Sequence, residues 1–141
     1  MCVRTKKQCK ILLDWSVVIS DAMITNYGKV YKDIMGLDPM IRLVTICDLN
    51  GKIMYSEHRE GVKNLLTPEE SKKSLELAIN AWKTRNNLAP KIGKGRYVLV
   101  EYEKIKRITM PLGDEQHLLY ITTEPEADHS KIIDTVRALK L

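Results

Sequence analysis

The residues from Ile41 to Ser56 constrain the fold more than any other part of the chain. Ile41 to Cys47 is a β-branched, mostly apolar run, and Lys52 to Ser56 is a second strand-like run. Asn50-Gly51 lies between them and is a strong hairpin signal, because it tolerates the positive φ of both central positions in a type I′ turn. The sequence therefore predicts a β-hairpin whose first strand is buried on both faces of a sheet.

The hairpin also holds Cys47, Asp48 and His58, three side chains that could do chemistry. A thiol inside an apolar strand has a raised pKa and is inert, so we interpret Cys47 as a core residue rather than a nucleophile assisted by His58. The side chains of Asp48 and Asn50 are expected to bond to the backbone of their own turn. The sequence thus predicts no catalytic residue here.

Metal ligands would have to converge from separate parts of the chain. His58, His117 and His129 fall in three different predicted elements, and neither a His-x-x-x-His nor a Cys-x-x-Cys spacing occurs. The three cysteines are an odd number and are expected to be reduced thiols of a cytoplasmic protein. We predict no metal, no cofactor and no enzymatic activity.

The remaining chain alternates between helical and strand patterns. Apolar residues at three- and four-residue steps predict a first helix over Asp14 to Met35. Thr67-Pro68-Glu69-Glu70 has the pattern of a capping box, so a second helix is predicted from there to about Arg85. That helix is apolar on two sides, with Leu75, Ala78, Ile79 and Trp82 on one stripe and Leu77 and Ala81 on the other.

Three further strands and a last helix complete the pattern. The strands are predicted over Arg96 to Tyr102, Lys106 to Met110 and His117 to Thr123, and Asp128 is the expected cap of the last helix. The order is α-β-β-α-β-β-β-α. It predicts an α+β fold with a five-stranded, mainly antiparallel sheet and helices on both faces.

Length and charge limit the organisation and the partners. The 141 residues indicate one domain over 14–141, preceded by a basic extension over 1–13, and no apolar run reaches the roughly 20 residues of a membrane span. The net charge of +5 is uneven: residues 1–13 carry +4, residues 83–107 carry +6 and the rest of the chain −5. This asymmetry predicts a basic partner-binding surface. Its expected members are Lys83, Arg85, Lys91, Lys94, Arg96, Lys104, Lys106 and Arg107.

An acidic protein is the favoured partner of that surface. The loop from Lys91 to Arg96 has the composition of a phosphate-binding loop but lacks its spacing and precedes a strand. Tyr97 and Tyr102 lie close to the basic residues, so weak nucleic-acid binding stays open, although no nucleic-acid-binding motif is present.

The element order over residues 14–141, together with the segment Ile46-Cys-Asp-Leu-Asn-Gly-Lys-Ile53, resembles the roadblock / dynein-light-chain family of the roadblock–longin group. More loosely, it resembles profilin-like sensor domains. The first resemblance implies a small, non-enzymatic, homodimeric adaptor that can serve Ras-like GTPases. In that family the second helices and the third strands of two subunits meet, which implies an interface formed by Leu77, Ala81, Val98 and Val100. The second implies a small-ligand sensor, with a pocket between the first helix and the sheet.

Overall fold

The computed structural model describes residues 26–141. Nine elements follow one another in the order α1 (Tyr27–Met35), β1 (Ile41–Asp48), β2 (Ile53–His58), α2 (Pro68–Asn86), α3 (Ala89–Ile92), β3 (Val98–Glu101), β4 (Lys106–Pro111), β5 (His117–Thr123) and α4 (His129–Ala138). The predicted α+β class and the predicted strand order along the chain are confirmed. The basic extension 1–13, and the predicted first helix before residue 26, lie outside the described residues.

The five strands form one antiparallel sheet in the order β2-β1-β5-β4-β3. Its centre is the pair β1 and β5, which keep one register from Leu43 opposite Thr122 to Asp48 opposite His117. Strands β2 and β3 form the two edges. Short loops join β1 to β2, β3 to β4 and β4 to β5, and all four pairings, including that of β1 with β5, are antiparallel, in agreement with the predicted mainly antiparallel sheet.

Helices cover both faces of the sheet because successive strand residues point in opposite directions. Helices α1 and α4 pack on one face, where Ile34 and Ile132 meet β-strand residues such as Val44 and Ile121 in the larger core cluster. Helix α2 packs on the other face, which we call the α2 face. Its smaller core cluster consists of Cys47, Leu75, Ile79, Trp82, Leu118 and Tyr120.

Helix α2 begins as the sequence predicted. The Thr67 hydroxyl accepts a hydrogen bond from the backbone N–H of Glu70 at 3.1 Å, and the Glu70 carboxylate accepts one from the N–H of Thr67 at 2.9 Å. This reciprocal pair is a complete capping box, with Pro68 in the first turn. The start of α2 is thus set by local chemistry alone.

The turn of the first hairpin differs from the predicted type I′ turn. Only Gly51 has a positive φ, at +92°, and the loop is longer than two residues because Cys47 pairs with Ile53 across a bulge. The Asp48 carboxylate accepts hydrogen bonds from the backbone N–H groups of Asn50 at 2.8 Å and Lys52 at 2.9 Å. The predicted role of Asp48 is therefore confirmed, whereas Asn50 contributes its backbone and not its side chain.

Two helix boundaries also differ from the prediction. The described first helix begins at Tyr27, because Asn26 is non-helical and its side chain accepts a hydrogen bond from the backbone N–H of Lys29 at 3.1 Å. The prediction of a helix that is continuous through residue 26 is therefore wrong. The sequence predicts a loop between the second helix and Arg96, with Pro90 as a helix terminator, but the short helix α3 occupies Ala89–Ile92. Proline in fact lies in its first turn, where a missing N–H costs nothing.

Arg59 ties the end of the first hairpin to the beginning of the sheet. Its guanidinium donates to the carbonyl oxygens of Ile41 at 2.7 Å, Met35 at 2.7 Å and Asp38 at 2.8 Å. These three carbonyls belong to the end of α1, the following turn and the start of β1. The Arg59 side chain thereby connects the turn between α1 and β1 to the loop that follows β2.

We expect Arg59→Met to lower the free energy of unfolding by about 3 kcal/mol, because a charged donor to three carbonyls is lost. Urea unfolding at one protein concentration measures the change. Arg85→Met, at an exposed position on α2, is the matched control and should stay within about 0.5 kcal/mol of the parent. Equal effects of the two substitutions would contradict the role assigned to Arg59.

Candidate protein-interaction surface

The outer side of α2 presents an apolar residue to solvent. Leu75, Ile79 and Trp82 are buried against the sheet. Leu77 follows Leu75 by two positions, about 200° around the helix, so it points away from the sheet and is 71% exposed. Ala81, one turn further on, is half-buried. The second apolar stripe that the sequence predicted on this helix is therefore present and open.

Strand β3 borders the same side of the molecule. Leu99 packs into the larger core on the α1 and α4 side, so the alternating Val98 and Val100 lie on the α2 face. Val98 packs against the smaller core, while Val100 is 42% exposed. Within residues 26–141 the outer edge of β3 pairs with no other strand, which leaves a row of backbone donors and acceptors available. The four residues of the expected interface thus lie on one side of the sheet.

The expected basic surface is largely exposed. Lys83, Arg85, Lys91, Lys94, Arg96 and Lys104 all lie at the surface, and Lys94 forms an ion pair with Glu115 at 2.7 Å. An exposed pair of this kind adds little stability, so its lysine can exchange partners. These six side chains stay the candidate contacts for an acidic partner.

Lys106 does not belong to that surface. It is buried, and its ammonium donates to the carbonyl of Ala127 at 2.8 Å and lies 3.0 Å from Nδ1 of His129. Lys106 lies one position before Arg107 on β4 and therefore points to the α4 side of the sheet, where α4 covers it. The expectation that Lys106 contacts a partner is wrong for this reason. Arg107 is half-buried on the α2 face.

The histidines and Cys47 do not form a reactive cluster. Cys47 pairs with Ile53 and His58 pairs with Leu43, so Cys47 and His58 are separated by roughly 13 Å of strand. His117 contacts Asp114 at 2.7 Å, and His129 contacts Lys106. Among the described residues, no three His, Cys, Asp or Glu side chains are placed to hold a metal ion.

Burial governs the chemistry of Cys47. The residue is fully buried, and desolvation, with a smaller contribution from the charge of Asp48, raises the pKa of its thiol to about 11. The thiolate is therefore scarce at neutral pH, and the thiol is closed off from reagents.

We expect Cys47 to resist iodoacetamide in the native protein at pH 7.5 and to react after unfolding in urea. A raised pKa favours the neutral thiol in the folded state, so its contribution to stability is present below the unfolded pKa of about 8.5 and is lost as the pH approaches 11. Mass spectrometry of tryptic peptides measures labelling at Cys47 separately from that at Cys2 and Cys9. Native labelling of Cys47 at the rate of an unfolded thiol would contradict its burial.

A groove occurs on the α2 face, whereas the sensor alternative predicts a pocket between the first helix and the sheet. The α1 residues Tyr31, Ile34 and Met35 fill the larger core. The groove has a volume of about 1160 Å³ and runs between the beginning of α2 and the sheet. Among residues 26–141, no helix is long and apolar enough to cross a membrane.

Solved structures share this architecture. The gliding protein MglB from Thermus thermophilus is 14% identical, with a TM-score of 0.65 over 80% of this chain and 81% of that chain. This chain has the roadblock fold. The Roadblock/LC7 domain from Streptomyces avermitilis is 14% identical, with a TM-score of 0.54 over 77% of this chain and 92% of that chain. A structure of MglB with a tetrameric arrangement is 13% identical, with a TM-score of 0.65 over 80% of both chains. No protein-family model and no curated protein matches the sequence.

Sequence reasoning missed a polar cluster on the α2 face. The Arg107 guanidinium donates to the Ser74 hydroxyl at 2.6 Å and lies 5.5 Å and 5.7 Å from the rings of Tyr102 and Tyr120. The Ser74 hydroxyl is also 3.0 Å from the hydroxyl of Tyr120. The available signal was the period of two in β4 and β5, which puts Arg107 and Tyr120 on one face of the predicted sheet.

Proposed function

We propose that this protein is a non-enzymatic, cytoplasmic adaptor that works as a homodimer of the roadblock type. The observation that carries the proposal is the exposed Leu77 on the outer side of α2, beside the unpaired edge of β3. A two-fold axis along that edge would bring β3 of both copies together and extend the sheet, while the two α2 helices would pack through Leu77 and Ala81.

The arrangement of charge is compatible with such a dimer. Lys83 and Arg85 follow Ala81 by two and four residues, at the end of the helix, and are exposed. They would therefore flank the contact rather than lie within it. Glu101 and Glu103, at the end of β3, are exposed and of opposite sign. The MglB structure with a tetrameric arrangement is an example of self-association by this fold.

Leu77→Asp is expected to weaken the dimer at least ~10-fold, because two carboxylates would be desolvated near the two-fold axis. Light scattering coupled to size exclusion should give about twice 16.2 kDa for the parent and about 16.2 kDa for the variant. Val100→Asp, on the exposed edge of β3, should act in the same direction.

The control is Leu139→Asp, an exposed leucine after α4 on the opposite side of the sheet, which should leave the mass unchanged. A parent protein that stays monomeric at high concentration would contradict the dimer. A Leu77→Asp variant with the mass of the parent would contradict the interface.

The partner that best fits the basic surface is an acidic protein, and we propose a Ras-like GTPase. The support is the set of exposed lysines and arginines next to the proposed dimer contact, together with the roadblock fold. Charge of this kind mainly accelerates association and makes binding sensitive to salt.

Titration calorimetry with Ras-like GTPases of the same genome, each loaded with GDP or a non-hydrolysable GTP analogue, tests the partner. The double substitution Lys83→Glu and Arg85→Glu should weaken binding at least ~10-fold at low salt. Lys131→Glu with Arg137→Glu, exposed positions on α4, makes the same change in net charge and should have little effect. Absence of binding in both nucleotide states would contradict the proposed GTPase partner, and it would not contradict the proposed dimer.

A further inference from the structure

The groove on the α2 face exists because the beginning of α2 lacks apolar side chains. After Pro68 the helix runs Glu-Glu-Ser-Lys-Lys-Ser, and Leu75 is the first residue that can pack on the sheet. Ile79 and Trp82 cover the half of the sheet that ends at Cys47 and Leu118. The other half, around Leu43 and Thr122, is left beneath an open space of about 1160 Å³, which we call the α2 groove.

The floor of the α2 groove contains one row of residues across four strands. His58 pairs with Leu43, Leu43 with Thr122, and Thr122 with Arg107. Residues opposite each other in antiparallel strands share a face, so these four side chains lie on the α2 face, and all four line the groove. The row joins His58 on the edge strand β2 with Thr122 and Arg107 on the inner strands β5 and β4, and the apolar Leu43 lies between them.

Three polar atoms in this row are buried and have no hydrogen-bond partner among the described residues: Nε2 of His58, Oγ1 of Thr122 and Nε of Arg107. No other side chain in residues 26–141 has such an atom. Buried polar atoms without partners are rare because each costs free energy. Their confinement to one row shows that the described part of the chain leaves the polar groups beneath the groove incompletely satisfied.

The guanidinium of Arg107 identifies the charge of that ligand. One terminal nitrogen, Nη1, donates to Ser74, and the rings of Tyr102 and Tyr120 lie beside the group. No carboxylate in residues 26–141 lies within 4.0 Å of it. Nε and Nη2 form the parallel fork with which arginine binds a carboxylate, and neither has a partner in the described part of the chain. A half-buried arginine with a vacant fork calls for an anion.

The rest of the groove accommodates an apolar body. Leu43, Leu75 and Ile105 line it together with Leu66 and the ring of Tyr120. The row from His58 to Arg107 spans three strand spacings, roughly 14 Å, which is the scale of a small molecule rather than of a protein surface.

We propose that the α2 groove binds a small amphiphilic carboxylate, with its carboxylate on the guanidinium of Arg107 and its apolar body along Leu43, Leu75 and Ile105. This site is distinct from the adaptor surface, with which it shares only the rim residue Leu77 among the four proposed dimer contacts. Occupancy would place a ligand directly beneath the beginning of α2, the helix through which we propose that two copies meet.

Decanoate is the probe for this site, titrated below its micelle concentration into the ¹⁵N-labelled full chain. Saturable amide shifts are expected at Leu43, Thr122 and Ile105. Decyltrimethylammonium, which has the same tail and the opposite charge, should bind at least ~10-fold more weakly, because its cation meets Arg107. Equal binding of the two amphiphiles, or shifts confined to other regions, would overturn the proposal.

Arg107→Gln should weaken decanoate binding at least ~10-fold, because the charged fork is lost. Arg137→Gln is the matched control: it makes the same change in charge at an exposed residue of α4, on the opposite side of the sheet, and it should change the affinity by less than ~2-fold. Arg107→Lys keeps the positive charge but removes the guanidinium fork. If the Gln variant does not fold, weaker decanoate binding by the Lys variant tests whether the guanidinium binds the carboxylate. Equal affinities of all three variants would contradict the assignment of Arg107.

Two other occupants give different results. A glutamate-rich peptide that binds through Arg107 while decanoate does not would assign the groove to an acidic protein segment. An Arg107→Gln variant that dissociates the dimer, in a protein whose groove decanoate does not reach, would assign it to a second copy of the chain. Either outcome overturns the small-ligand site. Light scattering on the same samples reports the dimer independently, so failure of one proposal is not mistaken for failure of the other.

Discussion

The pairing of β1 with β5 is the constraint on which the rest of the structure depends. Both strands are buried on both faces: Ile46 and Leu119 face the α1 and α4 side, while Cys47 and Leu118 face α2. A strand pair of this kind is stable only when something apolar covers each face. The chain meets this requirement by sending α1 and α4 to one face and α2 to the other. The division of helices between faces therefore follows from two central strands.

The two faces are covered to different extents, and this difference generates the surfaces that we connect with function. Two helices and the turn that Arg59 holds close the α1 and α4 face. A single helix covers the other face, and it does so over only half of the sheet because its first turns are polar. The outer stripe of α2, the free edge of β3 and the α2 groove all lie on that incompletely covered side. Self-association and ligand binding are two ways of covering such a surface.

Local chemistry made much of the fold predictable from the sequence. The capping box at Thr67, the Asp48 turn and the strands β4 and β5 each depend on residues a few positions apart, and each was confirmed. The errors had equally local reasons. The hairpin turn contains a bulge, which depends on how β1 pairs with β2 rather than on the turn residues. Asn26 caps the first described helix, although the apolar periodicity predicts that the helix continues through this position. Pro90 lies in the first turn of a short helix, although it was predicted to end one.

The sequence by itself determined the order of the elements, the antiparallel sheet and the presence of a second apolar stripe on α2, because periodicity and caps act over short distances. Only the tertiary structure decided what each charged side chain does. Lys106 and Arg107 are neighbours in the basic segment, yet β4 turns one towards Ala127 and His129 and the other towards the α2 groove. Pairing across the sheet also aligned His58, Thr122 and Arg107, which are far apart in the chain. Such a row is created by strand register, and no short-range pattern in the sequence encodes it.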